Sequence, residues 1–581
     1  MALFTVRFLI GSILLNTISA IGNLGGSLGD NQYHIGPVEV PGHQIPNDST
    51  SEFLCDLSRP LDPSADGLLS SQELFSGTDA LETIVKRHQP LVRIPSVCYD
   101  DLGDFEDDER WKPFSDIPTV LEKAYPNIYK TAKIETINKF GLVYTISGSD
   151  DNLAPILLAA HQDVVPVPEE TLSQWEHPPF DAYYDKENGY IWGRGASDDK
   201  SAITALMSAM EALLSQEEYQ PHRSVIFAFG FDEECSGYRG AAKISKHLEE
   251  RYGEGGIAVI LDEGGGGLQI LDGAVYALPA VYEKGYLDVW FDLDVTGGHS
   301  STPVPNTAIG IMSEIATTLE SNPFGPQIFK GSPVHEALIC LARYSPDALP
   351  ELTELIHKGN LKAAALFLAQ ASRETQYFIE TSQAIDVISG GEKINSLPEY
   401  VTMGVNHRYA PQDSIGSIQH RIVTLVEKVI SKYDIELQAF EDDADYEEYL
   451  VATGTSYGEQ HHRHSWQPVY NGTLVIKSGK KSYITPQTPS SGFIWDIFSG
   501  TVRHTFSQEA STVVVAPGAM TGNTDTRHYL KLSNHIYRWS PGSLASFGNI
   551  HTTNERILLS EHLNMARFYY DLIRNFDQTD L

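Results

Sequence analysis

The chain has 581 residues, of which 41% are hydrophobic and 20% are charged, so it can bury large cores and should fold into more than one domain. Its 77 acidic side chains outnumber the 41 basic ones and leave a formal net charge of −36. A surface this acidic repels phosphate backbones and anionic membranes, which argues against nucleic acid as a partner.

Residues 1–20 have the layout of a secretory signal peptide. Arg7 precedes the apolar run Phe8–Leu15, and the small residue Ala20 offers a cleavage site. An uncut signal anchor is the alternative, although the run is short for a bilayer span. Residues 21–78 are rich in Gly, Pro, Asp and Ser with little periodicity, which predicts a loosely wrapped leader.

Asn47 and Asn471 each begin a glycosylation sequon, a pattern that suits a secretory route but also occurs by chance. The cysteines are too few and too scattered for a disulfide framework. One pair among the four can form a bridge, and the sequence does not say which pair. The cysteines are Cys55, Cys98, Cys235 and Cys340.

Residues 79–286 carry the pattern of an α/β catalytic domain. Three continuous apolar runs suit strands buried on both faces of a mostly parallel sheet: Pro155–Ala160, Val225–Phe231 and Ile257–Leu261. A helical pattern spans Lys200–Ser215. We therefore expect a mostly parallel sheet with helices on both faces.

In residues 287–440 the continuous apolar runs give way to alternating ones, and this change predicts an inserted α+β domain, which we call the lid. From Leu287 to Val295, apolar and polar residues alternate, as in an antiparallel sheet with one dry and one wet face. The other predicted elements are a helix near 304–320, a helical insertion at about 345–383, a strand Tyr400–Arg408, an amphipathic helix over 418–429 and a strand Ile435–Phe440. Residues 441–581 return to the α/β pattern, so the lid interrupts one catalytic domain.

Metal-binding side chains follow each of the three predicted parallel strands. His161-Gln162-Asp163 follows the first strand, Asp232-Glu233-Glu234 the second and Asp262-Glu263 the third. Ligands of open α/β sheets gather outside the carboxyl ends of the strands, so these side chains should converge. Asp198, in a glycine-turned loop before the long helix, is a fourth candidate. Each has a plain structural alternative, since Asp198 alone suits a helix N-cap and Asp-Glu-Glu a solvated turn.

A mixed set of histidine and carboxylate ligands suits zinc. Two cations a few ångströms apart repel each other, so a pair of zinc ions needs a bridging carboxylate and a bridging water acidic enough to attack. Catalysis also needs a base that is not a ligand, which Glu233 beside Glu234 offers. Asp163, two residues past His161, is placed to orient its imidazole.

Four stretches in combination resemble the zinc exopeptidase family that includes aminoacylase, peptidase T and carboxypeptidase S. They read AAHQDVVPV, WGRGASDDK, FDEECSGYRGA and LDEGG. The likeness is strongest to fungal carboxypeptidase S, a Gly-Xaa carboxypeptidase, and to related secreted N-acyl-amino-acid hydrolases. It covers residues from about 80 to 575.

The resemblance implies two zinc ions per chain and a role for each candidate. Asp198 bridges the two ions, Glu233 is the general base and Asp163 the orienting carboxylate. Asp262 is preferred over Glu263 as a ligand because it stands directly at the strand end, and family members differ in the acidic residue they use there. The implied ligands are His161, Asp198, Glu234, Asp262 and, near the C-terminus, His551.

The resemblance also assigns residues of the lid and of the second catalytic segment to the substrate. His299, between glycines and serines, matches a histidine that stabilises the oxyanion and that often comes from a partner subunit. The helical insertion at about 345–383 leaves open whether it acts here within one chain or in a homodimer through the lid. Without the family context a turn histidine is the better interpretation. Asn395 lies on a turn like the family's substrate-contact turn. Arg408 and Arg527 are candidates for binding a carboxylate through a bidentate fork, although an arginine at a domain joint is structural about as often.

The resemblance implies hydrolysis of the amide bond next to a C-terminal amino acid in short peptides. The alternatives are an N-acyl-amino-acid amidohydrolase, a deacetylase of the same fold, or a non-catalytic binding protein. The fungal likeness, together with the predicted signal peptide, suggests a vacuole lumen or the extracellular space.

Overall fold

The computed structural model describes residues 54–265, 267–433, 435–455, 470–507, 511–543 and 547–579. The predicted signal peptide, most of the predicted leader and the sequon at Asn47 lie outside the described residues. Within the described ranges, no helix is long and apolar enough to cross a bilayer.

The catalytic domain is built on an eight-stranded sheet. Its three strands that precede the predicted ligands lie side by side and pair in parallel. In spatial order the strands are Lys133–Ile137, Gly141–Ile146, Val225–Gly230, Ile156–His161, Val259–Asp262, Ile536–Arg538, Ala280–Glu283 and Gly518–Met520. This arrangement confirms the predicted α/β fold with a mostly parallel sheet.

The strand Ile156–His161 is buried on both faces. Ile156, Leu158 and Ala160 join one hydrophobic core, whereas Leu157 and Ala159 join the core on the opposite face. The first core contains side chains of the helices Gly77–Val92, Lys200–Leu214, Phe493–Thr505 and Leu559–Asp577, and the second those of Ala241–Tyr252. Burial on both faces explains why the sequence shows a continuous apolar run rather than an alternation.

The lid is built on a five-stranded sheet with helices on one face. In spatial order its strands are Ser382–Gly390, Tyr400–Tyr409, Gly285–Asp294, Thr473–Ser482 and Glu436–Ala439. The helices Ala308–Glu320 and Ile415–Ile430 cover its dry face. The strand Thr473–Ser482 pairs with Gly285–Asp294 and therefore belongs to the sheet of the lid. This sheet thus includes a strand that lies beyond the predicted boundary at residue 440.

Four helices form an insertion in the lid, between the helix Ala308–Glu320 and the strand Ser382–Gly390. We call them the inserted helices: Pro333–Tyr344, Pro350–His357, Leu361–Ala371 and Arg373–Ile379. They share a small hydrophobic core of their own. The remaining helical segments are Pro63–Asp66, Ser71–Leu74, Glu109–Asp116, Ile117–Ala124, Pro126–Thr131, Glu169–Gln174, Glu233–Cys235, Ala444–Thr453 and Thr526–Tyr529. The remaining strands are Tyr183–Asp185, Tyr190–Trp192, Leu268–Leu271, Ala274–Ala277, Gly298–His299, Ser396–Leu397, Val513–Val515, Phe547–Gly548 and Arg556–Leu558.

Both cysteine pairs are bridged, where the sequence left room for one bridge. Cys55 is joined to Cys340 on the first inserted helix, and Cys98 is joined to Cys235. The described part of the predicted leader packs on the catalytic domain, since Cys55 is buried and Asp66 pairs with Arg574. This part of the chain is therefore fixed to the domain rather than loosely wrapped.

Two fully buried histidines lie between the helices that cover the sheet. His562 Nε2 contacts Ser201 O at 3.0 Å and Thr204 Oγ1 at 2.8 Å. His88 contacts Thr204 Oγ1 from the other side at 3.0 Å. Burial lowers the pKa of His562 to about 4, so its imidazole is neutral in the folded protein.

Acid should therefore destabilise the fold through His562. Below about pH 6.5 His562 takes up a proton in the unfolded chain, whereas the buried ring in the folded protein stays neutral. The free energy of unfolding therefore falls as the pH drops. Between about pH 6.5 and pH 5 this amounts to about 1.5 kcal/mol. Urea unfolding at the two pH values should show a smaller loss for His562→Gln than for the parent protein. The exposed His222, changed to Gln, serves as the control and should leave the difference unchanged.

Candidate active site

The three parallel strands bring their carboxyl ends to one edge of the sheet. His161 lies opposite Gly230 in the register, and Leu158 lies opposite Leu261 on the other neighbouring strand. The segments that follow these strands therefore begin at the same edge. The predicted ligands His161, Asp198, Glu234 and His551 meet there, together with Glu263.

His161 is the buried centre of the first group of side chains. Its Nε2 atom lies 3.0 Å from Asp198 Oδ1 and 3.4 Å from Glu263 Oε1. On the other side of the ring, Nδ1 lies 3.0 Å from the carbonyl oxygen of Asp163 and 3.4 Å from its Oδ1. One ring nitrogen thus faces the carboxylates while Asp163 fixes the orientation of the ring.

His551 is the centre of the second group. Its Nε2 atom lies 3.0 Å from Asp198 Oδ2 and 3.1 Å from Glu234 Oε1. The side chain of His551 is 52% exposed, in contrast to the buried His161. Asp198 therefore stands between the two histidines and offers one oxygen atom to each.

Asp163 also holds the turn that carries Glu233 and Glu234. Its Oδ1 accepts a hydrogen bond from Glu233 N at 3.2 Å, and its Oδ2 accepts one from Glu234 N at 3.0 Å. Both oxygen atoms of a fully buried carboxylate are thereby satisfied. The same side chain positions the imidazole of His161 and the backbone of the neighbouring acidic turn.

Glu555 is a positioning residue that the sequence did not single out. Its Oε1 accepts hydrogen bonds from Ser197 N at 3.0 Å and from Asp198 N at 3.1 Å. Its Oε2 pairs with Arg194 Nη1 at 2.7 Å, and both side chains are buried. Because Glu555 follows His551 closely along the chain, the segment that supplies His551 also fixes the loop that supplies Asp198. The adjacency of Asn554-Glu555 to His551 was the only signal for it.

At the end of the third strand, the structure brings Glu263 rather than Asp262 into the cluster. Asp262 Oδ1 accepts a hydrogen bond from Glu263 N, and Asp262 Oδ2 is buried with no hydrogen-bond partner among the described residues. Asp262 belongs to none of the groups around the histidines, whereas Glu263 faces His161. Asp199, also absent from the predicted set, accepts a hydrogen bond from His161 N at 3.4 Å.

Burial and neighbouring charges shift the pKa values of several members of the cluster. Burial, together with the charge of Asp198, raises the pKa of Glu263 to about 8. Burial, reinforced by Glu263 and Glu234, raises the pKa of Glu233 well above its usual value. Hydrogen bonds to Asp198 and Glu234 raise the pKa of His551 to about 10. Protons thus reduce the net negative charge of the site.

The donor set fits divalent cations. In three groups, one nitrogen or oxygen atom of each member lies within 4.8 Å of the others: His161, Asp199 and Glu263; His161, Glu233 and Glu234; and Asp198, Glu234 and His551. Histidine nitrogen and carboxylate oxygen are the ligands that zinc takes in catalytic sites. A bound cation would replace the protons that otherwise neutralise these groups.

Arg408 lies near Arg527. Burial is the main cause that lowers the pKa of Arg408, and the positive charge of Arg527 lowers it further. Arg408 Nη1 donates a hydrogen bond to Asn523 Oδ1 at 3.0 Å, and its guanidinium lies 4.4 Å from the centre of the Tyr286 ring. His528 Nε2, one residue past Arg527, contacts Ser236 O at 2.9 Å beside the acidic turn. The segment 522–528 thus joins the two arginines to the cluster.

His299 and Asn395 are brought together by a short two-stranded ribbon but are not in the acidic cluster. His299 pairs with Ser396 in this ribbon, and Ser300 N donates to Asn395 O at 3.4 Å. His299 and Asn395 are exposed, and His299 Nδ1 contacts Ser301 Oγ at 2.8 Å. None of the three groups around the cluster, within the described ranges, contains a residue of this ribbon.

Comparison with known proteins identifies relatives along most of the chain. Residues 157–575 match the model of the family described as Peptidase family M20/M25/M40. An uncharacterized carboxypeptidase of Schizosaccharomyces pombe is 40% identical over 492 residues, which cover 84% of this chain and 78% of that protein. Carboxypeptidase S of Saccharomyces cerevisiae is 34% identical over 536 residues, 90% of this chain and 89% of that protein. The family resemblance predicted from the motifs is confirmed.

The fold is also that of solved structures. The crystal structure of human carnosine dipeptidase 1 superposes with a TM-score of 0.58 at 13% identity and covers 88% of this chain and 99% of that chain. At this identity the likeness concerns the fold alone.

Removing the charge of Glu555 should weaken both the fold and the affinity for zinc. The change Glu555→Gln leaves Arg194 buried without its partner, which should lower the free energy of unfolding of the zinc-free protein by about 3 kcal/mol. Loosened anchoring of Asp198 should weaken zinc binding about 10-fold or more. Urea unfolding and competitive zinc titration measure the two effects.

The matched control is Glu135→Gln, which breaks a more exposed pair with Arg251. It should cost about 1 kcal/mol or less and leave zinc affinity unchanged. Equal zinc affinity in Glu555→Gln and the parent protein would contradict the positioning role.

Proposed function

This chain belongs to peptidase family M20/M25/M40, and we propose that it is a di-zinc exopeptidase that releases the C-terminal amino acid from short peptides of the Gly-Xaa type. It is a hydrolase of the metallocarboxypeptidase or aminoacylase-like type, and relatives named carboxypeptidases match most of its length. The observation that carries the proposal is the placement of Asp198 between two histidines, each facing a further carboxylate.

In this proposal His161 and Glu263 would hold one zinc ion, Glu234 and His551 would hold the other, and Asp198, which stands between the two histidines, would be shared by both. Glu263 takes the place first assigned to Asp262, because its carboxylate is the one that faces His161. Bound zinc would polarise the scissile carbonyl and lower the pKa of the attacking water.

Glu233 is the proposed general base. It is next to the ligand Glu234 and shares a group of donor atoms with Glu234 and His161, but in this proposal it does not bind zinc. Its backbone is fixed on Asp163. Its raised pKa suits a group that takes a proton from water and then delivers it to the leaving amine. Asp163 acts through its neighbours, since it orients His161 and holds the turn of Glu233.

Arg408 and Arg527 are the proposed binding residues for the free carboxylate of the substrate, because a guanidinium matches a carboxylate with two parallel hydrogen bonds. Asn395 and His299 are proposed contacts of the substrate and of the oxyanion. Their ribbon is exposed, so they would reach the reacting group by movement of the lid or from a second copy of the chain. A homodimer through the lid would supply the second route.

Hydrolysis of N-acyl amino acids is the alternative function, because such substrates carry the same amide bond and the same free carboxylate. A deacetylase of this fold or a protein that only binds its ligand is a further alternative. We also propose a secretory route to a vacuole lumen or the extracellular space. The two disulfides support this route, since disulfides are rare in cytosolic proteins.

The function is tested by the zinc content of the purified protein and by release of leucine from Gly-Leu and from an N-acyl-leucine. We expect about two zinc ions per chain. The change Glu233→Gln should lower kcat by about 100-fold or more while the zinc content stays the same, because the base is not a ligand.

The exposed Glu170, changed to Gln, is the control and should keep full activity. Full activity in Glu233→Gln would refute the mechanism. A protein that binds no zinc and releases no leucine from either substrate would favour a binding function, and the faster of two hydrolysed substrates decides between peptidase and acylase.

Loss of Arg408 should impair substrates that carry a carboxylate. For Arg408→Met we expect KM for Gly-Leu to rise about 10-fold or more, since hydrogen bonds to charged groups contribute about 1.5–3 kcal/mol. Gly-leucinamide lacks the carboxylate, so its KM should be the same in both proteins. An equal rise in KM for both substrates would show that Arg408 has no role in carboxylate recognition.

A further inference from the structure

We infer that the Cys98–Cys235 disulfide is a positioning element of the active site, which holds the turn that carries Glu233 and Glu234. Cys235 immediately follows Glu234 and belongs to the same short helical turn, Glu233–Cys235. The inference rests on the proposed function, since it assigns Glu233 as base and Glu234 as ligand.

The partner of Cys235 is itself fixed on the loop that follows His161. Cys98 N donates to Val164 O at 3.0 Å, and Val164 N donates to Ser96 O at 3.0 Å. Ser96 Oγ donates to Gln162 O at 2.7 Å. The segment 96–98 therefore lies along the residues that connect His161 to Asp163 and Val164.

The disulfide closes a ring of contacts around the two segments that carry ligands. From Asp163, hydrogen bonds lead to Glu233 and Glu234, the chain leads to Cys235, the disulfide to Cys98, and backbone hydrogen bonds return to Val164. If the disulfide is opened, the acidic turn keeps the bonds to Asp163 and the contact of Ser236 with His528. These hydrogen bonds can rearrange, whereas a covalent bond cannot.

The turn needs this restraint because its side chains repel one another. Glu233 and Glu234 lie near His161 and Asp198 in a buried cluster of carboxylates. The turn also contains Ser236 and Gly237, both with positive φ angles of 90° and 67°. A displacement of about 1 Å in a reacting group lowers a rate by about 100-fold. Opening the disulfide should therefore affect kcat and the binding of zinc at Glu234, and leave carboxylate recognition at Arg408 in place.

The second disulfide provides a matched control. Cys55–Cys340 joins the chain before the catalytic domain to an inserted helix, and neither cysteine adjoins a residue of the acidic cluster. It spans 285 residues against 137 for Cys98–Cys235. The unfolded chain loses more entropy when the longer loop is closed, so on stability alone C55S/C340S should be the more damaged variant.

The experiment compares C98S/C235S with C55S/C340S as full-length proteins, below the Tm of each. For C98S/C235S we expect kcat on Gly-Leu to fall about 10-fold to 100-fold, KM to stay within about twofold and zinc to be held more weakly. For C55S/C340S we expect a lower Tm with kcat and zinc affinity unchanged. Equal losses of kcat in the two variants would overturn the inference.

A reversible form of the test avoids variants that fold poorly. In C55S/C340S the only remaining bridge is Cys98–Cys235, which a water-soluble phosphine reduces to two thiols, while the phosphine takes oxygen from water to become its oxide. Thiol titration verifies the reduction. Reduced protein should lose kcat and regain it on reoxidation, and C98S/C235S treated in the same way should not change.

Unchanged kcat after complete reduction would overturn the inference while the proposed function stands. Untreated parent protein that binds no zinc and cleaves no amide substrate would instead overturn the proposed function and, with it, this inference.

Discussion

The mutual repulsion of carboxylates at one edge of the sheet is the constraint on which the rest of the site depends. The acidic side chains that meet there are Asp163, Asp198, Asp199, Glu233, Glu234 and Glu263. In a buried site they cannot all carry charge unless cations or protons compensate them. Two histidines alone do not balance this charge, so the cluster is an arrangement that divalent cations would stabilise.

Groups that repel one another stay together only if the scaffold holds them. The parallel strands provide that scaffold, because each is buried between two hydrophobic cores. Beyond the strand ends, buried polar contacts hold the segments that carry the acidic side chains. Asp163 anchors the acidic turn, and Glu555 with Arg194 anchors the loop of Asp198.

The lid depends on a separate set of contacts for its position. Only Lys284 separates the catalytic strand Ala280–Glu283 from the lid strand Gly285–Asp294, and its Nζ donates to Tyr377 O and Glu380 O. Tyr276 donates to Ser345 beyond the first inserted helix. The inserted helices thus contact both domains near the joint, where Arg408 of the lid meets Asn523 of the catalytic domain.

The sequence by itself determined the fold class, the lid and most of the cluster, since continuous apolar runs, alternating runs and short acidic motifs are local patterns. His161, Asp198, Glu234 and His551 were predicted from such patterns with the family resemblance, and the structure brings them together. Only the tertiary structure shows that Glu263 rather than Asp262 faces His161, because the direction of a side chain beyond a strand end depends on the turn that follows. The contacts of Glu555 and the pairing of the four cysteines were also decided there, since they join residues that lie far apart along the chain.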